Sequence, residues 1–325
     1  MNIIRRSPVI NLAVLAAIIA AAMTRAYLNP YTAETFDDTA TLFGTILGNW
    51  QMRCPVAAAC ATGCVWFIAG WVIGLVVRVR ELYFIRTTIT IPIYGMAACG
   101  LYMSNNSLTA AVTSLLFAIA VRSYFDAYRD GYGFSPVFFG SLCLGLLPMF
   151  YAPAATLLLL MPVAVVVFKR SAREALVAAA GMLFAPLAVC YIHWGAGGGF
   201  AEPVMQSIES LTRHSGYRFF GTITPGAAVM AGYMLALVLG AALISSANIY
   251  SMNSRARYIT LYNMCAFVVA LSTLALPSST ATAFGIIAVP TAMTVPAMLV
   301  QIRTQAANAI YFGLWLLFIL HLISV

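Results

Sequence analysis

The sequence predicts an all-α fold, a polytopic transmembrane helical bundle of about 11 spans, and three observations carry that expectation. The chain is 62% apolar and 8% charged, where soluble domains carry roughly 25% charged residues. Its apolar residues run in stretches near the roughly 20 residues that a helix needs to cross hydrocarbon. Its cations sort between alternate gaps. Six clusters, Arg5/Arg6, Arg78/Arg80/Arg86, Arg122/Arg129, Lys169/Arg170/Arg173, Arg255/Arg257 and Arg303, hold 13 of the 17 basic residues, and the other gaps hold Arg25, Arg53, Arg213 and Arg218. Cytoplasmic loops collect Lys and Arg, so the N-terminus is expected in the cytoplasm.

Taken in order, the expected spans are 8–27, 55–77, 87–103, 107–124, 134–150, 152–168, 172–194, 225–247, 257–276, 280–300 and 304–323. The first follows Arg5-Arg6 but is longer than the apolar core of about 7–15 residues in a signal peptide, so it reads as a span. The hairpin turns at Ser104–Ser107 and Tyr151–Pro153 are tight enough for either pair to be re-entrant instead of crossing fully. An odd count places the C-terminus outside. With 325 residues used this way, residues 1–325 form a single integral membrane domain. The net charge of +8 follows from the loop bias and attraction to anionic lipid, which removes nucleic acid as an expected partner. Pro92, Pro148, Pro162, Pro186, Pro290 and Pro296 fall in or near spans, where they free backbone carbonyls.

Two outward connections, about 28–54 and 195–224, are long, and long ordered connections tend to be functional. In the first, Phe36, Ala40, Phe43, Leu47 and Trp50 fall on one helical stripe. Thr35 with Asp38 forms a capping-box pattern that would put Asp37 and Asp38 in the first turn. An amphipathic surface helix is expected there, its aromatic face in the lipid headgroups. Asp37, Asp38 and Glu34 then have two readings: a catalytic acid or base at the interface, or simple caps for helix amides. The fourth outer loop opens on Gly195-Ala196-Gly197-Gly198-Gly199, a hinge or close-approach segment without a phosphate-loop order. Val204, Ile208 and Leu211 again follow helical spacing, leading to Arg213 and Arg218. Guanidinium groups suit phosphate oxygens, either of a lipid-linked phosphate or of ordinary headgroups.

No metal site is expected. Cys60 and Cys64 are four residues apart, but no His or acid in that segment completes a ligand set. His193 with Trp194 reads as an interfacial span end, and Arg122 with Asp126 as a helix-end collar.

From Glu81 onward the chain resembles an uncharacterised multi-pass inner-membrane family of Bacteroidota. The resemblance is carried by Arg86–Pro92, Phe125-Asp126-Ala127, Arg173–Leu176 with Gly181 and Pro186, and Ile287–Pro290. It implies a bacterial inner-membrane location and no particular activity. In layout, with an inward N-terminus, an acidic first outer loop and a second long outer loop, the chain resembles the GT-C membrane glycosyltransferases. That resemblance implies a polyprenyl-phosphate-linked saccharide as substrate, with an aspartate or glutamate of the first outer loop as base. The functional expectation is glycosyl transfer at the outer leaflet in envelope glycoconjugate assembly. Asp37, Asp38 and Glu34 would be catalytic, Arg213, Arg218, Arg25 and Arg53 would bind phosphate, and no cofactor is needed, although a divalent metal is compatible. Two alternatives stay open: a non-catalytic subunit bound to envelope-complex proteins, and a transporter.

Overall fold

A computed structural model describes residues 7–28, 41–80, 87–101, 107–129, 133–213, 225–250 and 252–324. Every regular element among them is helical. Hydrocarbon offers no partner to backbone N–H and C=O groups, and a helix satisfies both within one segment. In chain order these are α1 (Pro8–Leu28), α2 (Leu42–Arg53), α3 (Pro55–Arg80), α4 (Thr90–Leu101), α5 (Ser107–Arg129) and α6 (Phe134–Phe150). A 3-10 segment (Ala152–Leu159) then runs into α7 (Leu160–Val167). The remainder are α8 (Ala172–Gly195), α9 (Glu202–Thr212), α10 (Pro225–Ala247), α11 (Ser254–Ser272), α12 (Thr282–Gln301) and α13 (Thr304–Ser324).

Eight of the described helices, α1, α3, α5, α8, α10, α11, α12 and α13, are long and apolar enough to cross a membrane. Each of the 11 expected spans contains helix, and three of these helices are shorter than a full span over the described residues. α4 has 12 residues, about 18 Å at the α-helical rise, against a core of roughly 30 Å. α6 has 17 residues and reaches about 25 Å. The segment after it has eight 3-10 residues and eight α-helical ones, and the larger 3-10 rise carries it to about 28 Å.

Helix α12 is the axis of the bundle. Every residue from Thr282 to Leu299 is buried, with α4, α5, α10 and α11 packed around it. α4 is buried from Thr90 to Ala98, and α1 and α3 close over its other face. Asn11 of α1 donates to Thr88 just ahead of it at 2.7 Å. Largely apolar and enclosed by protein, α4 has a hydropathy that does not distinguish it from a span. On the flank, α6 and α8 cross at Gly145 and Gly181, where each glycine faces a backbone carbonyl of the other helix. The far side of α8 exposes Leu176, Leu183, Phe184 and Ile192, a face suited to lipid.

The helices alternate between two poles. At one, Tyr128 of α5, Phe168 after α7 and Tyr258 of α11 form a ring cluster, and Asn248 beyond α10 donates to Gln301 of α12 at 2.8 Å. Lys169, Arg170, Arg173, Arg255, Arg257 and Arg303 lie at or between helix ends at this basic pole, and Arg122 lies about two turns before the end of α5. At the other, the Thr280 N–H donates to the Tyr151 hydroxyl at 2.9 Å, and Ser278 donates to the Leu211 carbonyl at 3.1 Å.

Candidate functional site

The pole opposite the basic one carries both helices of the long connections, and they touch. α2 starts later than its sequence pattern suggests. Its N-cap is Thr41, which accepts the Gly44 N–H at 3.2 Å and donates to the Phe150 carbonyl at 2.9 Å. The cap is thus fixed by a residue 109 positions away, so the expected start near Thr35 is corrected. No acid lies in the first turn of α2. Asp37, Asp38 and Glu34, with Phe36 and Ala40, lie outside the described residues.

The face that α2 turns to the bundle is built from small residues. Gly44 and Gly48 turn inward with Thr41, and Phe43 stacks on Phe150 with ring centroids 4.7 Å apart. Ile46 and Trp50 of the same helix are exposed. α9 behaves alike: Pro203, Ser207 and Ser210 face the bundle, while Met205 and Ile208 point away from it. Small residues permit close helix approach, and the larger apolar ones are left to the surrounding interface.

Between α2 and α9 runs an open groove of about 440 Å³, lined by Leu42, Thr45 and Ile46 on one wall and Gln206, Glu209 and Arg213 on the other. One wall is largely apolar and the other polar. Arg213 sits 3.9 Å from Glu209, and both side chains are about two-thirds exposed, at 64% and 63%. A pair that long and exposed holds the guanidinium weakly, because solvent screens it and side-chain entropy opposes it. Arg213 can therefore be drawn to a phosphate at small cost.

Of the other arginines expected to bind phosphate, Arg218 lies outside the described residues. Arg53 closes the far end of α2, about 16 Å along the helix from Leu42. Arg25 ends α1, and neither it nor Arg53 lines the groove. The structure thus brings one of the four, Arg213, to the groove. The polar residues Gln206 and Glu209 were missed. Their signal was present in the spacing of Glu202, Gln206, Glu209 and Arg213, which puts four polar groups on one helix face.

Sequence reading also missed a carboxylate–imidazole pair beside this groove. The helix of α8 continues to Gly195, and Gly197 takes φ 93° to turn the chain back. Gly198 then passes so close to the His193 ring that a Cβ there would lie 2.2 Å from Nε2. The run of glycines is a close-approach segment. The turn delivers Glu202 to His193 at 2.9 Å, and the same carboxylate oxygen accepts the Gly199 N–H at 3.1 Å. The His193 hydrogen bond first, and the Gly199 N–H second, hold the Glu202 carboxyl below its usual range.

A group depressed in this way stabilises the fold above the unfolded carboxylate range and loses that effect as pH falls through its folded value. The protection of the Gly199 amide against hydrogen exchange is therefore expected to persist at neutral pH and to fall below about pH 4.3. In Glu202→Gln the protection should be lower at neutral pH and lack this acid transition. An unchanged transition in the variant would assign it to another group.

Among the described residues, no three His, Cys, Asp or Glu side chains stand together as a metal-ligand group. Cys60 and Cys64 are exposed and form no disulfide. No family model, curated protein or solved structure matches the chain.

Proposed function

We propose that this chain is a multi-pass protein of the bacterial inner membrane whose basic pole faces the cytoplasm. Its α2–α9 groove takes a polyprenyl-phosphate-linked saccharide at the outer leaflet, for glycosyl transfer in envelope glycoconjugate assembly. The observation that carries this reading is the meeting of both long connections in one groove with unlike walls. Leu42 and Ile46 suit an isoprenoid tail, and Gln206 and Arg213 suit its phosphate and sugar. Asp38 precedes the anchored Thr41 by three residues, a tether of at most about 11 Å.

In the reaction, Asp37 or Asp38, with Glu34 nearby in sequence, takes the proton of an acceptor hydroxyl as that oxygen attacks the anomeric carbon. The new glycosidic bond forms as the bond from that carbon to the phosphate oxygen breaks. Arg213, joined by Arg218, stabilises the charge that the departing phosphate gains. A divalent cation is compatible with this chemistry without being required by it. Transport is the second reading, and it rests on the interior of α12. Pro290 and Pro296 lie inside that helix, where each lacks a backbone N–H, and Asn263 of α11 donates to the Pro290 carbonyl at 3.1 Å and to Thr294 at 2.7 Å. Against it, the buried ionisable residues Glu174 and His321 lie in the first and last turns of their helices, whereas a pathway places such groups within the span.

The groove is tested by the binding of polyprenyl phosphate to the protein in lipid nanodiscs. Arg213→Gln should weaken binding about ten-fold or more, since a hydrogen bond to a charged group is worth about 1.5–3 kcal/mol. Ile46→Trp, which fills the apolar wall without removing a hydrogen bond, should weaken it as well. Wild-type affinity in both folded variants would remove the groove as the site. Groove binding without sugar transfer would favour the non-catalytic subunit.

A further inference from the structure

The turn from α7 into α8 holds the sole non-glycine residue with positive φ among the described residues, Lys169 at φ 51°. Glycine or asparagine usually takes this place after a helix, because a β-carbon crowds the neighbouring carbonyl there. The turn is otherwise well closed, the Arg170 N–H donating to the Val165 carbonyl at 2.9 Å. Its result is to send two consecutive cations onto two tyrosines. The Lys169 ammonium lies 5.6 Å from the Tyr258 ring centre, and the Arg170 guanidinium lies 5.5 Å from that of Tyr128. The two rings are 6.0 Å apart and nearly perpendicular. Phe168 stacks against Tyr128 at 4.9 Å and forms the floor.

Arg255 adds a third cation. It stands three residues before Tyr258 on α11, on the same helix face. The nearby arginines differ in their commitments. Arg170 is held by Glu174 at 3.3 Å, and Arg257 donates to the carbonyls of Ile249 and Tyr250. Lys169 and Arg255 are exposed and make no ion pair among the described residues. The N-cap of α11, Asn253, supplies no side-chain hydrogen bond to the first turn. Two cations thus lie on two tyrosines, with Arg255 one turn before Tyr258 at a helix start that lacks a side-chain cap; among the described carboxylates of this pole, Glu174 pairs with Arg170 and Asp126 with Arg122.

We propose that Lys169 and Arg255, with the hydroxyls of Tyr128 and Tyr258, bind a phosphate group at the basic pole, carried by an anionic lipid headgroup or by a soluble phosphorylated molecule. Arg170 is a positioning residue, locked to Glu174 and holding the Tyr128 ring. Trivalent donation from Lys169 and forked donation from Arg255 suit phosphate oxygens. This site stands apart from the α2–α9 groove and is independent of the reaction assigned to it.

The test uses the full chain in nanodiscs of phosphatidylcholine with or without phosphatidylglycerol, with retained lipid read by native mass spectrometry. Wild type should retain phosphatidylglycerol preferentially. Lys169→Gln with Arg255→Gln should lower that retention about 25-fold, at about five-fold per cation. Lys169→Gly relieves the left-handed backbone while removing one cation, so it should bind about five-fold more weakly without losing thermal stability. Arg173→Gln with Arg303→Gln removes two other exposed cations of the same pole and should leave preferential retention largely intact. In a parallel arm, pyrophosphate that raises the melting temperature of wild type but not of the double variant would assign the phosphate to a soluble source. Equal retention in wild type and the Lys169/Arg255 variant, with no pyrophosphate effect, would overturn the proposal. So would an equal loss in the Arg173/Arg303 control, which would mean a diffuse charge collar.

Discussion

Replacing Gly145 with alanine is expected to destabilise the protein by about 1–3 kcal/mol, the usual cost of overpacking. An added Cβ would lie 2.2 Å from the Met182 carbonyl oxygen and 3.0 Å from its carbon. Both are backbone atoms of α8, so no side-chain rotation relieves the clash and the helices must separate. The opposite substitution meets the same obstacle: a Cβ at Gly181 would lie 2.5 Å from the Phe138 carbonyl oxygen on α6. Intrinsic helix propensity favours alanine over glycine by about 1 kcal/mol, so propensity alone predicts the wrong sign. In a membrane this matters more than in water, because close packing, not apolar burial, drives helices together. Gly232 of α10 supplies the control, since a Cβ there meets open space. Thermal unfolding in detergent should show Gly145→Ala and Gly181→Ala lowered and Gly232→Ala unchanged or raised. A raised midpoint for Gly145→Ala would refute the crossing geometry of α6 and α8.

That contrast also marks what the sequence could reveal. Apolar stretches between cation clusters located the helices, because hydropathy and loop charge are properties of short segments. Burial by lipid and burial by protein give one hydropathy, so α4, enclosed by α1, α3 and α12, has the hydropathy of a span over its 12 described residues whichever surrounds it. The buried faces of α2 and α9 were harder still. The stripe of Phe43, Leu47 and Trp50 is expected in the lipid headgroups, and Trp50 is exposed while Phe43 stacks on Phe150. What faces the bundle is Gly44, Gly48, Ser207 and Ser210, because lipid is as good a solvent for a large side chain as the bundle interior.

At the candidate site, long-range contacts set the limit. The partner of Thr41 is a carbonyl at Phe150, and no local pattern reports it. Without that bond the capping box at Thr35 and Asp38 looks sufficient to start the helix. With it, α2 begins at Leu42 and the aspartates have no role as its first-turn caps. The aspartates themselves lie outside the described residues, so their part in the proposed reaction rests on their place in the sequence.

Under the proposed reaction, Asp37→Asn and Asp38→Asn together are expected to abolish glycosyl transfer while leaving the protein folded and abundant. General-base assistance contributes about 10²–10⁴-fold, and asparagine keeps the side-chain shape while removing the basic oxygen pair. If one aspartate alone is the base, its single variant should reproduce nearly the whole loss, and the other should lose far less. Glu34→Gln provides a comparison at a more distant carboxylate of the same connection. The readout is envelope glycolipid in cells and turnover of polyprenyl-phosphate-linked sugar by purified protein, each set against protein amount. Binding of polyprenyl phosphate should remain, since the groove walls of α2 and α9 are unaltered, and that separates a catalytic loss from a failed site. Full transfer in the double variant at normal abundance would end the catalytic assignment, and the groove would then stand or fall on whether Arg213→Gln and Ile46→Trp still weaken binding.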